Sequence, residues 1–195
     1  MPSQNTSMAK VSTRDRAALQ AVNFFMADME AGMGPFLGVL LAGRGWSTAA
    51  IGTVITLGAI MGMCTVAPAG ALVDATTRKR ACVIVAGLAA VAAAAVILTS
   101  GRFWVVAAAQ SVMCMSGAMI APAVIGITLG VVGQAGFTRQ NGRNQAFNHA
   151  GNMAGAAIGG VLGWVFGYPG VFWLAAGFAV ITVGAVLRIP AGHIN

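Results

Sequence analysis

Charge is what this chain has least of: Lys and Arg number 11 and Asp and Glu 4, together 8% of 195 residues. A soluble domain carries about 25%, so a water-facing globule with a charged shell is excluded. With 58% hydrophobic residues and a mean hydropathy of +0.83, the composition is that of an integral membrane protein. Cysteine is scarce as well. Cys64, Cys82 and Cys114 lie in or beside different apolar runs, with neither metal-ligand nor disulfide spacing, so they read as small buried residues, and no metal or cofactor is expected. Long polar segments are missing too. Six apolar spans of about 20 residues, joined by short loops, use up the length, leaving no room for a soluble catalytic domain. The first apolar run is too long for a signal-peptide core and has no clear cleavage site.

The few charges that exist are placed unevenly. Helices are expected at roughly 19–42, 48–73, 81–99, 102–127, 144–166 and 169–188, flanked by tails at 1–18 and 191–195. With the N-terminus in the cytoplasm, that side receives Lys10, Arg14, Arg16, Arg78, Lys79, Arg80, Arg139, Arg143 and Arg188. The outside receives only Arg44 and Arg102. Positive charge resists translocation, so both termini are expected in the cytoplasm of a multi-pass cell-membrane protein. The net charge of +7 is therefore an orientation signal, and no nucleic-acid partner is implied. Trp46, Trp104 and Tyr168 then fall near the outer boundary, and Gln134 to Arg143 forms the longest polar loop.

Between the second and third apolar runs stands Gly70-Ala-Leu-Val-Asp-Ala-Thr-Thr-Arg-Lys-Arg80. A plain basic loop that fixes topology would need no more than its cations. Here Gly70, Leu72, Asp74, Arg78 and Lys79 also stand in the register Gly-x-Leu-x-Asp-Arg-x-Gly-Arg-Lys, with Ala75 and Thr77 in place of its first Arg and second Gly. In this the chain resembles the major facilitator superfamily (MFS), which carries that pattern between its second and third helices. The resemblance covers nearly the whole chain and implies an all-α, six-helix half of a transporter, built as a three-plus-three inverted repeat. Aligning Pro35 on Pro122 pairs Met26 with Met113 and Ala31 with Ala118, a faint trace of such a repeat. It also implies a small-molecule substrate. A single half leaves three arrangements: a fragment of a longer transporter, a half that pairs with itself, or a half that pairs with a separate carboxy-terminal half.

Two helices hold residues that lipid would not tolerate. Asp28 and Glu30 lie near the middle of the first span. Two ionised acids there cost about 5–7 kcal/mol, while the nine Leu, Phe and Val residues of that span return only about 3–5. The helix therefore faces a polar interior or carries a protonated acid, the material of proton relays. At 100° per residue, Asp28 shares a face with Gly32 and Pro35, and Glu30 points about 160° away, with Asn23. Asp28 is the preferred coupling carboxylate; a structural carboxyl bonded to a neighbouring helix is the alternative for either.

On the fifth span Asn144, Asn148 and Asn152 recur every four residues, and Gly155 and Gly159 continue their stripe. His149 stands beside them, either titrating near neutral pH or serving as a neutral hydrogen-bonding partner. Gln110 is the lone amide of the fourth span. Gly151, Gly155, Gly159 and Gly163 repeat at the spacing that brings helix backbones together, with Gly160 beside them. The run resembles the glycine-rich fifth-helix motif of MFS antiporters, although Ala156 stands where that motif has Pro. Ala107 likewise replaces the fourth-helix Arg of proton-coupled members, so coupling must use other groups. The methionines of the interior, Met26, Met29, Met33, Met113, Met115 and Met119, suit a lipophilic solute or plain packing.

Two other classes of function compete with transport. A non-transporting membrane partner or regulatory half-protein fits the length. An intramembrane serine protease would use Ser116 and His149, but the expected helix ends put them at different depths, so the chain is not expected to be an enzyme.

Overall fold

The computed structural model describes residues 13–31 and 34–189, with backbone only for 28–31, 34 and 35. Its elements are α1 (Thr13–Ala31), α2 (Gly34–Gly43), α3 (Thr48–Ala75), α4 (Lys79–Thr99), α5 (Phe103–Phe166) and α6 (Tyr168–Leu187). Among the described residues there is no strand. α3, α4, α5 and α6 are each long and apolar enough to cross a membrane. α1 starts at Thr13, six residues before the expected boundary at 19.

The expected polar loop between Gln134 and Arg143 is not a loop. It is helical, and α5 extends from Phe103 to Phe166 with one non-helical residue inside it. What reverses the chain is Gly133 alone, at φ 66°, ψ 175°, a conformation essentially reserved for glycine. The reversal is certain from Asn144, whose side chain donates to Thr128 Oγ1 at 3.0 Å. Sixteen residues of straight helix would separate those two by about 24 Å. α5 is therefore a hairpin of two arms, 103–132 and 134–166. The polar residues of the second arm's start sit on helix because they have partners: Gln140 donates to Asn144 Oδ1 at 2.9 Å, and Thr128 to the Val124 carbonyl at 2.8 Å.

The core lies in two layers. One holds Leu19, Val22, Val83, Ile120, Ile127 and Val186; the other holds Leu37, Leu41, Val54, Ile97 and Val106. Between them the packing becomes small and polar. Gly58 and Gly62 of α3 meet Gln110 and Cys114 of α5 so closely that a Cβ at Gly58 would stand 2.9 Å from Gln110 Cγ. α3 is fully buried only along one stripe (Val54, Gly58, Gly62, Ala69, Val73), with Ile51 and Leu57 half-buried beside it and much of the remainder exposed.

The α3–α4 connection is only three residues long. Thr76 ends α3, its hydroxyl accepts from the Arg78 amide at 3.1 Å, and its carbonyl accepts from Lys79 Nζ at 3.2 Å. At the other end of α4, Arg44 donates to the carbonyls of Ile97 and Ser100 at 2.7 Å each and to that of Leu98. These are the carbonyls a helix C-terminus leaves unpaired, and a cation there also offsets the negative end of the helix dipole.

Candidate functional site at the seam of α1 and α5

The second arm of α5 lies against α1 and α2, and glycine decides how closely. A Cβ built on Gly151 would run into the Phe24 carbonyl oxygen, standing 2.8 Å from its carbon and 3.1 Å from Ala27 Cβ. One turn nearer Gly133, Asn148 Nδ2 reaches the Asn23 carbonyl at 3.5 Å. Two turns further on, a Cβ at Gly159 would meet the Phe36 ring at 3.2 Å. The pairs 148 with 23, 151 with 24 and 159 with 36 have offsets of 125, 127 and 123. The two strips therefore run parallel, rising together residue for residue.

The amides divide between two places. Asn144 is buried within the α5 hairpin, held by Gln140 and Thr128. Asn148 and Asn152 belong to the α1 seam, where Asn152 Nδ2 donates to Asn148 Oδ1 at 3.2 Å. Asn152 Oδ1 is buried and has no hydrogen-bond partner among the described residues. Asn23 is buried in α1, its own amide donating to the Leu19 carbonyl at 2.8 Å. Gln110 forms a second, smaller polar spot: Nε2 donates to Cys114 Sγ at 3.4 Å and Oε1 has no partner among the described residues. Leaving a buried amide acceptor unpaired costs about 1–3 kcal/mol, so both oxygens are open to a donor. His149 is exposed and stands apart from the seam. Asp28 and Glu30 are carried by α1, but their side chains lie outside the described residues, as do Gly32 and Met33.

Of the packing glycines, Gly151, Gly155 and Gly159 are buried, Gly163 meets Val171, and Gly160 is exposed with open space where a Cβ would go. In the α3–α4 motif Leu72, Asp74 and Arg78 are exposed, and Gly70 has nothing near its missing Cβ. Asp74 makes no ion pair among the described residues. Lys79 is the member that reaches across: its stem lies over Gly126 of α5, 2.9 Å from where a Cβ would stand. Arg80 is half-buried, and its Nε has no partner among the described residues.

Ser116 and His149 form no dyad. The Ser116 hydroxyl donates to Val112 of its own helix at 2.8 Å and is buried, whereas His149 is exposed. Taking Thr128 opposite Asn144, position 116 faces position 156, about seven residues or 10 Å beyond His149.

Comparison with known proteins agrees with this architecture. The family model of the Major Facilitator Superfamily matches residues 18–193. The chain belongs to the Major Facilitator Superfamily. It is 42% identical over 190 residues to proteins described as uncharacterized MFS-type transporters in two Mycobacterium tuberculosis strains, CDC 1551 / Oshkosh and ATCC 25618 / H37Rv. Those matches take in 97% of this chain and 46% of each relative, so the chain spans about half the length of the curated relatives it matches. These MFS relatives are named as transporters, not enzymes.

Four residues make contacts or a turn in the structure that the sequence alone does not assign them. Gln140 stands four residues before Asn144 and extends the amide stripe by a turn, a signal hidden by reading 134–143 as loop. Gly133 looked like one glycine among several. Thr128 and Arg44 have roles set by distant carbonyls and amides, for which local sequence holds no sign.

Proposed function

We propose that this chain is one six-helix half of a secondary transporter that moves a small molecule by alternating access, coupled to protons. In this reading α1 with α2, α3, α4, the two arms of α5 and α6 are the six spans, arranged as a three-plus-three inverted repeat with both termini in the cytoplasm. Arg44 and Arg102 sit together at one end, beside the C-terminus of α4, and Arg78, Lys79 and Arg80 at the other, which supports that orientation.

The observation that carries the proposal is the unmet Oδ1 of Asn152. Offsets of 123 to 127 put Asn152 at the height of the α1 turn 25–29, which includes position 28, in a seam too tight for any side chain at Gly151. Position 28 carries an acid, and protonation decides whether a carboxyl can donate a hydrogen bond at all. Asp28 is the coupling group in this scheme. Asn23, Asn148 and Asn152 line the path with Gln110 across the bundle; Glu30 and His149 are outlying members, and Asn144 positions the second arm. The α3–α4 motif serves as the gate at the Arg78 end. A second copy or a separate carboxy-terminal half completes the cavity.

The test is uptake of lipophilic fluorescent dyes into everted vesicles under an imposed pH gradient. Uptake above empty-vector vesicles is expected, abolished by Asp28→Asn and reduced by Asn152→Leu. Gradient-driven uptake indifferent to both changes would refute the path. No uptake, in vesicles where the chain is inserted and folded, would leave a non-transporting partner as the better reading.

A further inference from the structure

On the outside of the bundle, α4 and the first arm of α5 enclose an apolar groove of about 630 Å³. Its α5 wall is the stripe Val105, Ala108, Ala109 and Val112, and its α4 wall runs from Ala89 to Val96. Ala93 and Ala109 are buried and form the floor, while Trp104, 75% exposed, stands at the mouth. Alanines make the channel: with no side chain beyond Cβ, two adjacent helices leave a furrow instead of interlocking. The volume lies in the range of small-molecule pockets.

The groove has a direction. It begins near Ala89, the middle of α4, and opens at the end where α4 stops and α5 starts. From Ala89 to Val96 is about 10 Å of helix, within the roughly 15 Å of hydrocarbon that half of a bilayer core supplies. A spanning helix of a partner would need a furrow running through both halves. An acyl chain from one leaflet needs only one.

The mouth is positive. One turn back along the Val105–Ala109–Val112 stripe lies Arg102, exposed, N-terminal to α5, and without a side-chain partner among the described residues. The N-terminus of α5 adds its own partial positive charge. The C-terminus of α4, which would oppose it, is already covered by Arg44. An apolar channel that ends within one helical turn of an exposed arginine matches one kind of molecule, an amphiphile with an anionic head.

We propose that the α4–α5 groove is a binding site for an anionic phospholipid of the bilayer, one acyl chain lying between Ala89 and Val112 and the phosphate meeting Arg102. Trp104 closes the groove at headgroup level, where its ring belongs.

The experiment uses the full chain in bilayer nanodiscs with Trp104 as the reporter, the other tryptophans being replaced (Trp46→Phe, Trp164→Phe, Trp173→Phe). A companion chain keeps only Trp164, 87% exposed on the second arm, to report ordinary surrounding lipid. Each is placed in phosphatidylcholine containing a small, equal fraction of acyl-brominated phosphatidylglycerol or acyl-brominated phosphatidylcholine. Trp104 is expected to favour the anionic lipid by about fivefold in relative binding constant, the scale of one basic residue against anionic lipid. Trp164 should favour neither. Arg102→Gln should remove the preference, and Ala108→Leu, which fills the groove from an exposed position, should lower quenching of Trp104 by both lipids. Equal quenching of Trp104 by the two lipids would overturn the assignment, as would a preference that survives Arg102→Gln or appears equally at Trp164. Trp104 shielded from both lipids would also overturn it, by showing that a second copy of the chain covers the groove. Circular dichroism and size-exclusion profiles of each variant keep misfolding separate from lost binding.

Discussion

Replacing Gly151 with Ala adds one methyl group at the tightest point of the molecule, and its effect follows from geometry. The new Cβ would stand 2.8 Å from the Phe24 carbonyl carbon and closer still to its oxygen. Carbon–carbon contacts are comfortable at about 3.5–4.0 Å, so the second arm of α5 must withdraw from α1 by about 1 Å. Neither atom can step aside alone, because both belong to helix backbone. Withdrawal lengthens the Asn148–Asn23 bond, already 3.5 Å, past any useful range. Overpacking of this kind costs about 1–3 kcal/mol, and losing contacts along the seam puts the expectation at the upper end. For a chain of this size that is a fall in melting temperature of about 4–10 °C. Gly160→Ala is the control: its Cβ meets nothing within 4 Å, and exchanging Gly for Ala in a helix favours folding by up to about 1 kcal/mol. Thermal denaturation of the two variants in the same nanodiscs should move them in opposite directions. Equal melting temperatures, or a Gly151→Ala chain as stable as the parent, would refute the close-packed seam.

Three further outcomes follow from the same contacts. Arg44→Ala should cost about 2–3 kcal/mol by freeing carbonyls at the end of α4, and Arg44→Lys should recover only part, since one ammonium cannot fork across three acceptors; thermal melts of both variants measure this. Gly133→Ala should destabilise the hairpin by about 1–3 kcal/mol through its φ alone, seen as faster proteolysis next to residue 133. Asn144→Leu should lower the melting temperature, because it strands Gln140 and Thr128. Asn152→Leu should cost less than Asn144→Leu, because the loss of the bond to Asn148 Oδ1 is offset by removing an oxygen with no partner, yet it should lower dye uptake. If both asparagine variants behaved alike, the division of the ladder between hairpin and seam would be wrong.

Much of the architecture could be read from residues because a membrane leaves few options. A run such as Lys79–Thr99, apolar apart from its first two residues, has to be a helix, and Ser100-Gly-Arg102 has to end it. The failure at 134–143 has a physical cause. Polarity suggests exposure, but Gln140 and Asn144 are polar and buried, and what distinguishes them is a chain of bonds from Gln140 through Asn144 to Thr128 that no local pattern announces. The candidate site was legible in kind and less so in assignment. Four-residue spacing put Asn144, Asn148 and Asn152 on one face. Only the turn at Gly133 and the offset near 125 decided which of them meets α1.

If the seam of α1 and α5 is part of a transport path, it borders water and not lipid. In a chain with Cys64, Cys82 and Cys114 replaced by Ser, a cysteine placed at Asn152 should react with a membrane-impermeant cationic thiol reagent. One placed at Val180, on the exposed outer face of α6, should not. Reaction at Val180 with protection at Asn152 would contradict the account.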